Sequence, residues 1–141
     1  MVEVIVHWDH KPMASIEWLR HSYQMYDYAA RAYNVDQLIF IDKHGTLASL
    51  APTNPIVENL SDAIELINPQ STIHFLHMTG AQNLFDYNHP KDAAYIIGPD
   101  YNSMEPIFGI GIQIPMANTK MELWASQTLS IILSHRHSLW Q

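Results

Sequence analysis

The stretch that decides the fold is residues 94–100, AYIIGPD, where glycine and proline end a short apolar strand at once. Residues 110–116, IGIQIPM, also place a proline at the exit of a short apolar strand. Gly98 allows a close approach of the backbone to a ligand, proline cannot donate to a strand ladder, and Asp100 can accept a hydrogen bond. Either segment alone also fits an ordinary turn. Together they predict two loops in which a ligand can bind.

In the rest of the chain, short apolar runs alternate with segments whose apolar residues have helical spacing. The predicted strands are Val2–Val6, Leu38–Ile41, Ser71–Leu76, Ala94–Ile97 and Ile110–Ile114. The predicted helices are Ile16 to about Asn34 after the N-cap Ser15, a short helix that Ser61 caps and that ends at Ile67, and Lys120–His137. This alternation predicts an α/β fold with a mainly parallel sheet flanked by helices. In such sheets ligands bind outside the carboxyl ends of the strands. The loops to consider therefore follow Leu76, Ile97 and Ile114.

The composition of the chain limits the classes of protein and of functional site that it can represent. The chain has 141 residues, no Cys, and a formal net charge of −7 from 7 Lys+Arg and 14 Asp+Glu. We expect residues 1–141 to form a single domain, since no repeat or linker divides them. The absence of Cys excludes disulfides, thiolate metal sites and a cysteine nucleophile. No membrane span or signal peptide is predicted, so a cytoplasmic location is the default. The acidic charge disfavours nucleic acid as a partner.

The order of the segments after residue 94 resembles the SPOUT methyltransferases, in particular the SpoU/TrmH branch that methylates ribose 2′-hydroxyls of tRNA and rRNA. In that family a strand ending in Gly-Pro-Glu, a strand ending in Ile-Pro-Met and a helix starting Ser-Leu-Asn-x-Ser follow one another. This chain has Gly98-Pro99-Asp100, then Ile114-Pro115-Met116, then ELWAS at residues 122–126. The resemblance is clear over residues 71–138 and fainter upstream.

The resemblance implies a carboxyl-terminal deep trefoil knot, a homodimer, and S-adenosylmethionine bound by backbone groups of three loops. Apolar residues at strand exits suit such a cofactor, because adenine needs apolar walls and a few peptide donors and acceptors. The implied cofactor-binding residues are Leu76, His77, Met78, Thr79, Gly98, Pro99, Ile114, Met116 and Leu123. The implied partner is an RNA substrate, with tRNA foremost, and an accessory protein could supply an RNA-binding surface that this acidic chain lacks.

The catalytic positions match the family less closely. Its first motif has an Asn and, six residues on, an Arg; counting back from Asn34-Val35 puts these at Ser22 and Tyr28. Arg20 or Arg31 could take the role of the arginine if the helix register differs. The resemblance therefore gives Asp100, Glu122 and Arg31 as candidate catalytic residues. Glu122 also fits a carboxylate favoured by the helix dipole.

Other functions stay open at this stage. A silent member of the family that keeps the cofactor site as a binding or regulatory module would fit the degenerate first and third motifs. A methyltransferase of a protein or small molecule would fit the acidic charge. Trp124, where the family has Asn, fits a core or dimer contact or a surface on which a base stacks. His7-Trp8-Asp9-His10 and His135-Arg136-His137 contain metal-ligand residue types without a recognised spacing, and no metal is predicted.

Overall fold

A single sheet organises the chain. The computed structural model describes residues 1–76, 82–98, 109–118, 121 and 123–140. Seven strands run in the order β3-β2-β1-β6-β4-β7-β5, and every strand pair in these residues is parallel. The strands are β1 (Val2–Trp8), β2 (Gln37–Asp42), β3 (Ile56–Val57), β4 (Thr72–Leu76), β5 (Gln82–Asn83), β6 (Ala93–Ile97) and β7 (Ile110–Gln113). The prediction of a parallel α/β fold is confirmed.

Helices cover both faces of this sheet. The α-helices in the described residues are α1 (Ile16–Ala32), α2 (Leu60–Leu66) and α3 (Ala125–Leu139). Side chains alternate between the two faces of each strand, so each strand contributes to two cores. Val4 and Val6 pack in one core with residues of α1 and α3, while Ile5 packs in the other with Ala63 of α2.

The boundaries of α1 follow from its sequence. The Ser15 side chain accepts a hydrogen bond from the backbone N–H of Trp18 at 3.2 Å, as expected of an N-cap. The helix ends before Asn34, which has a positive φ of 53° that ordinary helix interiors exclude. Beyond it, the Asp36 N–H donates to the Val2 carbonyl at 2.8 Å. The carboxyl end of α1 therefore lies at the edge of the sheet where the strands begin, which we call the amino edge.

Two predicted helix starts were wrong. The cap of α2 is Asn59 rather than Ser61, since the Asn59 side chain accepts from the Asp62 N–H at 2.9 Å. Helix α3 begins at Ala125 rather than Lys120, and Trp124 is its N-cap residue. The Trp124 N–H donates to Gln127 Oε1 at 2.8 Å, which closes the first turn. The apolar residues just before Ala125 resemble a helical face in sequence, but they precede the helix.

The two-residue strands β3 and β5 were not predicted. Each lies at an edge of the sheet, β3 beside β2 and β5 beside β7. Two residues are too few to show an alternating pattern, so periodicity cannot detect them. The short 3₁₀ turn at Leu47–Leu50 also escaped prediction.

The carboxyl end of α3 is tied to the segment that leads into β6. His89 is buried, and one hydrogen bond of 2.6 Å joins its Nδ1 to the Tyr95 hydroxyl while another of 2.8 Å joins its Nε2 to His135 Nδ1. Arg136 is also buried, and its Nη1 donates to the Pro90 carbonyl at 2.6 Å. These contacts fix the last turns of α3 near the amino edge.

Candidate functional site

Three neighbouring strands end together at the edge opposite the amino edge, which we call the carboxyl edge. Strands β6, β4 and β7 are adjacent, with Phe75 paired to Ile96 and Leu76 paired to Ile112. Because parallel strands lie about 4.8 Å apart, the three ends span roughly 10 Å. The structure therefore brings together Leu76 at the end of β4, Gly98 just after β6 and Ile114 just after β7.

Gly98 is the most constrained of these residues. Its φ of +86° lies in the left-handed region, which favours glycine. A Cβ built on Gly98 would lie 3.3 Å from the His7 carbonyl oxygen and 3.6 Å from the Ala125 Cβ. Gly98 is thus enclosed between the end of β1 and the start of α3. The carboxyl edge therefore lies against the amino end of α3.

The remaining predicted cofactor residues divide into two groups. Met116 and Leu123 are half-buried; Met116 follows β7, and Leu123 precedes α3 by two residues. Six other predicted site residues lie outside the described residues: His77, Met78, Thr79, Pro99, Asp100 and Glu122.

Arg31 is not brought together with the other predicted site residues. It lies in the last turn of α1, forms an ion pair with Asp27 and stacks over the ring of Tyr28 at 5.4 Å. That end of α1 is at the amino edge. Arg20 lies about 16 Å away along the helix axis, at 1.5 Å per residue, in the half of α1 that begins at the carboxyl edge. The two arginines therefore do not form one basic cluster.

Ser22 is the residue that counting back from Asn34 assigns to the motif asparagine. It is buried and has a hydrogen-bond partner nearby. Ser22 Oγ and His10 Nε2 are joined by a hydrogen bond of 2.7 Å. Tyr28, at the counted arginine position, is exposed.

An aromatic cleft separates the first turns of α1 from the start of α3. The Trp18 and Trp124 rings are perpendicular, with centroids 5.7 Å apart, and both rings are partly exposed. The cleft is lined by His10, Trp18, His21, Ser22, Met25, Trp124 and Ser126. The pairing of Trp18 with Trp124 was not predicted, because nothing in the sequence places α1 beside α3.

His7 has an unusual environment at the end of β1. Its Nε2 is buried and has no hydrogen-bond partner among the residues that the structure describes. Burial, assisted by the nearby Lys43 ammonium and opposed by the Asp9 carboxylate, lowers the pKa of His7 to about 4. His7 is therefore neutral at pH 7.

Two negative findings concern the described part of the chain. No group of three or more His, Asp or Glu side chains there is arranged to hold a metal ion. None of its helices has the length and apolar character needed to cross a membrane.

Solved structures with a similar fold include some that have AdoMet bound. AviRb from Streptomyces viridochromogenes, a SpoU methyltransferase in complex with AdoMet, superposes with a TM-score of 0.72 at 14% identity, over 96% of this chain and 56% of AviRb. This chain has the SpoU methyltransferase fold.

Two further structures of this fold match nearly the whole chain. One comes from work on 2-OH methylation of C/U34 on tRNA, with a TM-score of 0.79, 11% identity, and coverage of 99% of this chain and 90% of that one. The other is a candidate RNA methyltransferase from Bacillus anthracis, with a TM-score of 0.71, 16% identity, and coverage of 99% and 94%. The chain thus spans little more than half of AviRb but nearly all of the other two. No protein-family model and no curated protein sequence matches it.

Proposed function

We propose that this protein is an S-adenosylmethionine-dependent RNA methyltransferase that acts on a ribose 2′-hydroxyl, with tRNA as the preferred substrate. The observation that carries the proposal is the enclosure of Gly98 between β1 and α3, beside the adjacent ends of β4 and β7. Structures of the same fold have AdoMet bound, including AviRb and an rRNA methyltransferase from Sinorhizobium meliloti.

The residues at the carboxyl edge fit the cofactor. Leu76, Ile114 and Met116 offer apolar side chains at strand exits, and Gly98 lets the backbone approach the ligand without a side chain between them. The loops that contain His77, Met78, Thr79 and Pro99, together with Leu123 before α3, would complete the site. Bound there, S-adenosylmethionine supplies an electrophilic methyl group to the acceptor.

The protein's share of the chemistry is to position the acceptor hydroxyl and stabilise charge. Methyl transfer is an in-line displacement that depends mainly on orientation. Arg20 is exposed and forms no ion pair with any described residue, so its guanidinium is available to an acceptor. Within one chain we assign this role to Arg20 in preference to Arg31. Asp100 and Glu122 remain the candidates to orient or deprotonate the hydroxyl.

The proposed assembly is a homodimer that uses the surface around the Trp18–Trp124 pair. Met13, Ile16 and Met121 are exposed in the same part of the chain, before and within the first turn of α1 and just before α3. Exposed apolar residues in such a cluster are typical of an interface. A partner seated here would lie beside Gly98, so dimerisation would complete the cofactor site.

Three further features of the proposal rest on the fold resemblance. The segment around α3 would pass through an earlier loop and form a trefoil knot. The chain would act as one domain in the cytoplasm. Because its net charge is −7, RNA contact would need both halves of the dimer or an accessory RNA-binding protein.

Two measurements test the proposed function. Calorimetric titration with S-adenosylhomocysteine should give saturable binding, and absence of heat at millimolar ligand would contradict the cofactor assignment. Methyl-labelled S-adenosylmethionine incubated with total RNA should label the RNA, with tRNA labelled first. Label in a protein or small-molecule fraction would instead indicate a different acceptor.

The second candidate is a silent member that binds the cofactor but transfers no methyl group. The observation that favours it is Trp124, which stands where the family motif has Asn and packs against Trp18. Binding of S-adenosylhomocysteine without label in any fraction would support this candidate.

A further inference from the structure

His10 and Ser22 form a hydrogen-bonded pair in the cleft between α1 and α3. His10 follows β1 by two residues, Ser22 lies in the second turn of α1, and 2.7 Å separates His10 Nε2 from Ser22 Oγ. Both residues are 8% exposed, and both line the cleft, which is open to solvent and encloses about 270 Å³ including its mouth. An imidazole joined to a hydroxyl in an open cleft is a pair that can accept a proton from a bound group.

The surrounding residues hold the His10 ring in one orientation. The rings of Trp8 and Trp18 lie edge to face with it, at centroid distances of 4.6 and 6.1 Å. The His10 carbonyl accepts a hydrogen bond of 2.8 Å from Thr46 Oγ1, which itself accepts one from Trp8 Nε1. A reacting group that is already fixed in place loses little entropy when a substrate binds. The pair is therefore preorganised for proton transfer.

The cleft adjoins the proposed cofactor site. Ser126, which lines the cleft, follows Ala125, and the Ala125 Cβ would be 3.6 Å from a Cβ on Gly98. The cleft and the loop after β6 therefore meet at the first turn of α3. Along α1 the cleft extends from Trp18 to Met25, about 10 Å at 1.5 Å per residue. It thus reaches beyond the exposed apolar residues assigned to the dimer, and an acceptor can enter at its Met25 end.

We propose that His10 is the general base of methyl transfer and takes the proton of the acceptor 2′-hydroxyl through Ser22. The inference rests on the proposed function, since it takes a ribose hydroxyl as the acceptor. In the tautomer that carries its proton on Nδ1, the His10 ring accepts at Nε2 from Ser22 Oγ. The Ser22 oxygen then offers a lone pair to the acceptor hydroxyl.

Methyl transfer to a hydroxyl requires that one proton leave the acceptor. The acceptor oxygen bonds to the methyl carbon as the carbon–sulfur bond of S-adenosylmethionine breaks, and the bonding electron pair leaves with the sulfur. The hydroxyl proton passes to Ser22 Oγ as the serine proton passes to His10 Nε2. The products are a methylated ribose, S-adenosylhomocysteine and an imidazolium that releases its proton to solvent. Asp100 and Glu122 then have the role of orienting the acceptor.

Three variants of the intact protein test this relay, with unfractionated tRNA as the acceptor. His10→Gln can still hydrogen-bond to Ser22 but takes up no proton near neutral pH, and Ser22→Ala removes the relay hydroxyl. His21→Gln is the matched control, because His21 is the other titratable side chain that lines the cleft in the described part of the chain. Each variant is assayed for single-turnover methyl transfer over a pH series, for S-adenosylhomocysteine and tRNA affinity, and for its thermal midpoint.

We expect His10→Gln and Ser22→Ala each to lower the transfer rate roughly 100-fold at neutral pH, a loss typical of removing general-base catalysis. The wild-type rate should rise with pH across the interval in which an imidazole loses its proton, about pH 5 to 8, because only the neutral ring accepts. His10→Gln should lack that rise, and His21→Gln should keep both the rate and the profile. Affinities for tRNA and S-adenosylhomocysteine should be unchanged throughout.

A measurement on the wild type without turnover checks the contact itself. The ring-proton resonance of His10 can be assigned by its proximity to the Trp8 ring. It should shift when tRNA is added in the absence of cofactor, because the acceptor hydroxyl changes the hydrogen bond between Ser22 and His10. This readout does not depend on whether any variant folds.

Contrary outcomes are distinct. A rate rise between about pH 5 and 8 that persists in His10→Gln, or an unshifted His10 resonance, would overturn the inference. A His10→Gln rate that falls only in proportion to its tRNA affinity would assign the hydrogen bond a structural role and also overturn it. A wild type that labels no RNA at any pH would contradict the proposed function and the inference together, whereas the other outcomes leave methyl transfer intact and contradict the inference alone.

Discussion

Gly98 lies against the backbone of His7, so that a Cβ built on Gly98 would be 3.3 Å from the His7 carbonyl oxygen. The same Cβ would contact Ala125 at the start of α3. This one residue therefore joins the end of β1, the exit from β6 and the first turn of α3. A change in its volume should disturb the site and the fold together.

Gly98→Val should abolish binding of S-adenosylhomocysteine, because its side chain has no space between His7 and Ala125. Gly45→Ala is the control: Gly45 also has a positive φ, +72°, but nothing lies within 4 Å of its Cβ position. Gly45→Ala should lower the unfolding free energy by about 1–2 kcal/mol through backbone strain alone. Its affinity for S-adenosylhomocysteine should equal that of the wild type. Calorimetry and urea unfolding measure both effects. Wild-type affinity in Gly98→Val would remove the loop after β6 from the site.

Arg20→Ala should reduce the rate of methyl transfer roughly 100-fold, the typical effect of losing one stabilising donor in a reaction site. Affinity for S-adenosylhomocysteine should not change, since Arg20 is assigned to the acceptor. Arg31→Ala should keep the rate, because Arg31 is paired with Asp27 at the amino edge. Single-turnover rates with labelled cofactor distinguish the two. The opposite ranking would indicate that Arg31 reaches a site outside its own chain.

Trp124→Ala should weaken the proposed homodimer by roughly 30-fold or more, since truncation of an interface tryptophan commonly costs 2 kcal/mol or more. Leu66→Ala is the control, because Leu66 is similarly exposed but lies on α2, on the other face of the sheet. Sedimentation velocity at a series of protein concentrations gives both dissociation constants. A wild type that is monomeric throughout, or a Trp124→Ala dimer as tight as the wild type, would contradict the assigned interface.

Glu3→Gln should lower the unfolding free energy by about 1–3 kcal/mol, because a buried acceptor is replaced by a group that also donates. The Glu3 carboxylate accepts hydrogen bonds from Gln37 Nε2, the Asn68 N–H and Ser71 Oγ, each at 3.0 Å. It thereby links β1, β2 and the segment before β4. Glu65→Gln, an exposed change on α2, should stay within about 0.5 kcal/mol of the wild type in the same urea titration.

Sequence reasoning located the strands that have a strong local pattern. The apolar runs of β1, β4, β6 and β7 and the serine-capped helix α1 carry their signal within a few residues, so they were predicted closely. The start of α3 was misplaced because Met121, Leu123 and Trp124 have helical spacing although they precede Ala125. Local periodicity does not distinguish a helical face from apolar residues that pack before a helix.

The site was predictable only in part, for a different reason. The strand ends near Leu76, Gly98 and Ile114 can be predicted from the residues around them. Parallel pairing of the strands then brings these ends together. The contact of Trp18 with Trp124 and the unpaired nitrogen of His7 depend on which helix crosses which strand. These relationships join residues far apart in the sequence, and a single sequence carries no direct signal of them.

Stability should fall as the pH is lowered from 6.5 toward 4, because His89 must stay neutral in the folded state. Burial, together with the neighbouring His135, Arg136 and His74, lowers the pKa of His89 to about 4. In the unfolded chain His89 titrates near 6.5, so between these values only the unfolded state binds the proton, and protonation favours unfolding. Above pH 6.5 both states are neutral and the effect is absent.

Thermal midpoints at pH 7.5 and pH 5.0 measure this dependence. The difference between them should shrink in His89→Gln, whose amide does not titrate, even though its midpoint at pH 7.5 drops from loss of the Tyr95 and His135 contacts. His7→Phe should shrink the difference as well, since the pKa of His7 is also lowered to about 4. His44→Gln, an exposed change, should leave it unaltered. An equal difference in all four proteins would mean that neither buried histidine governs acid stability.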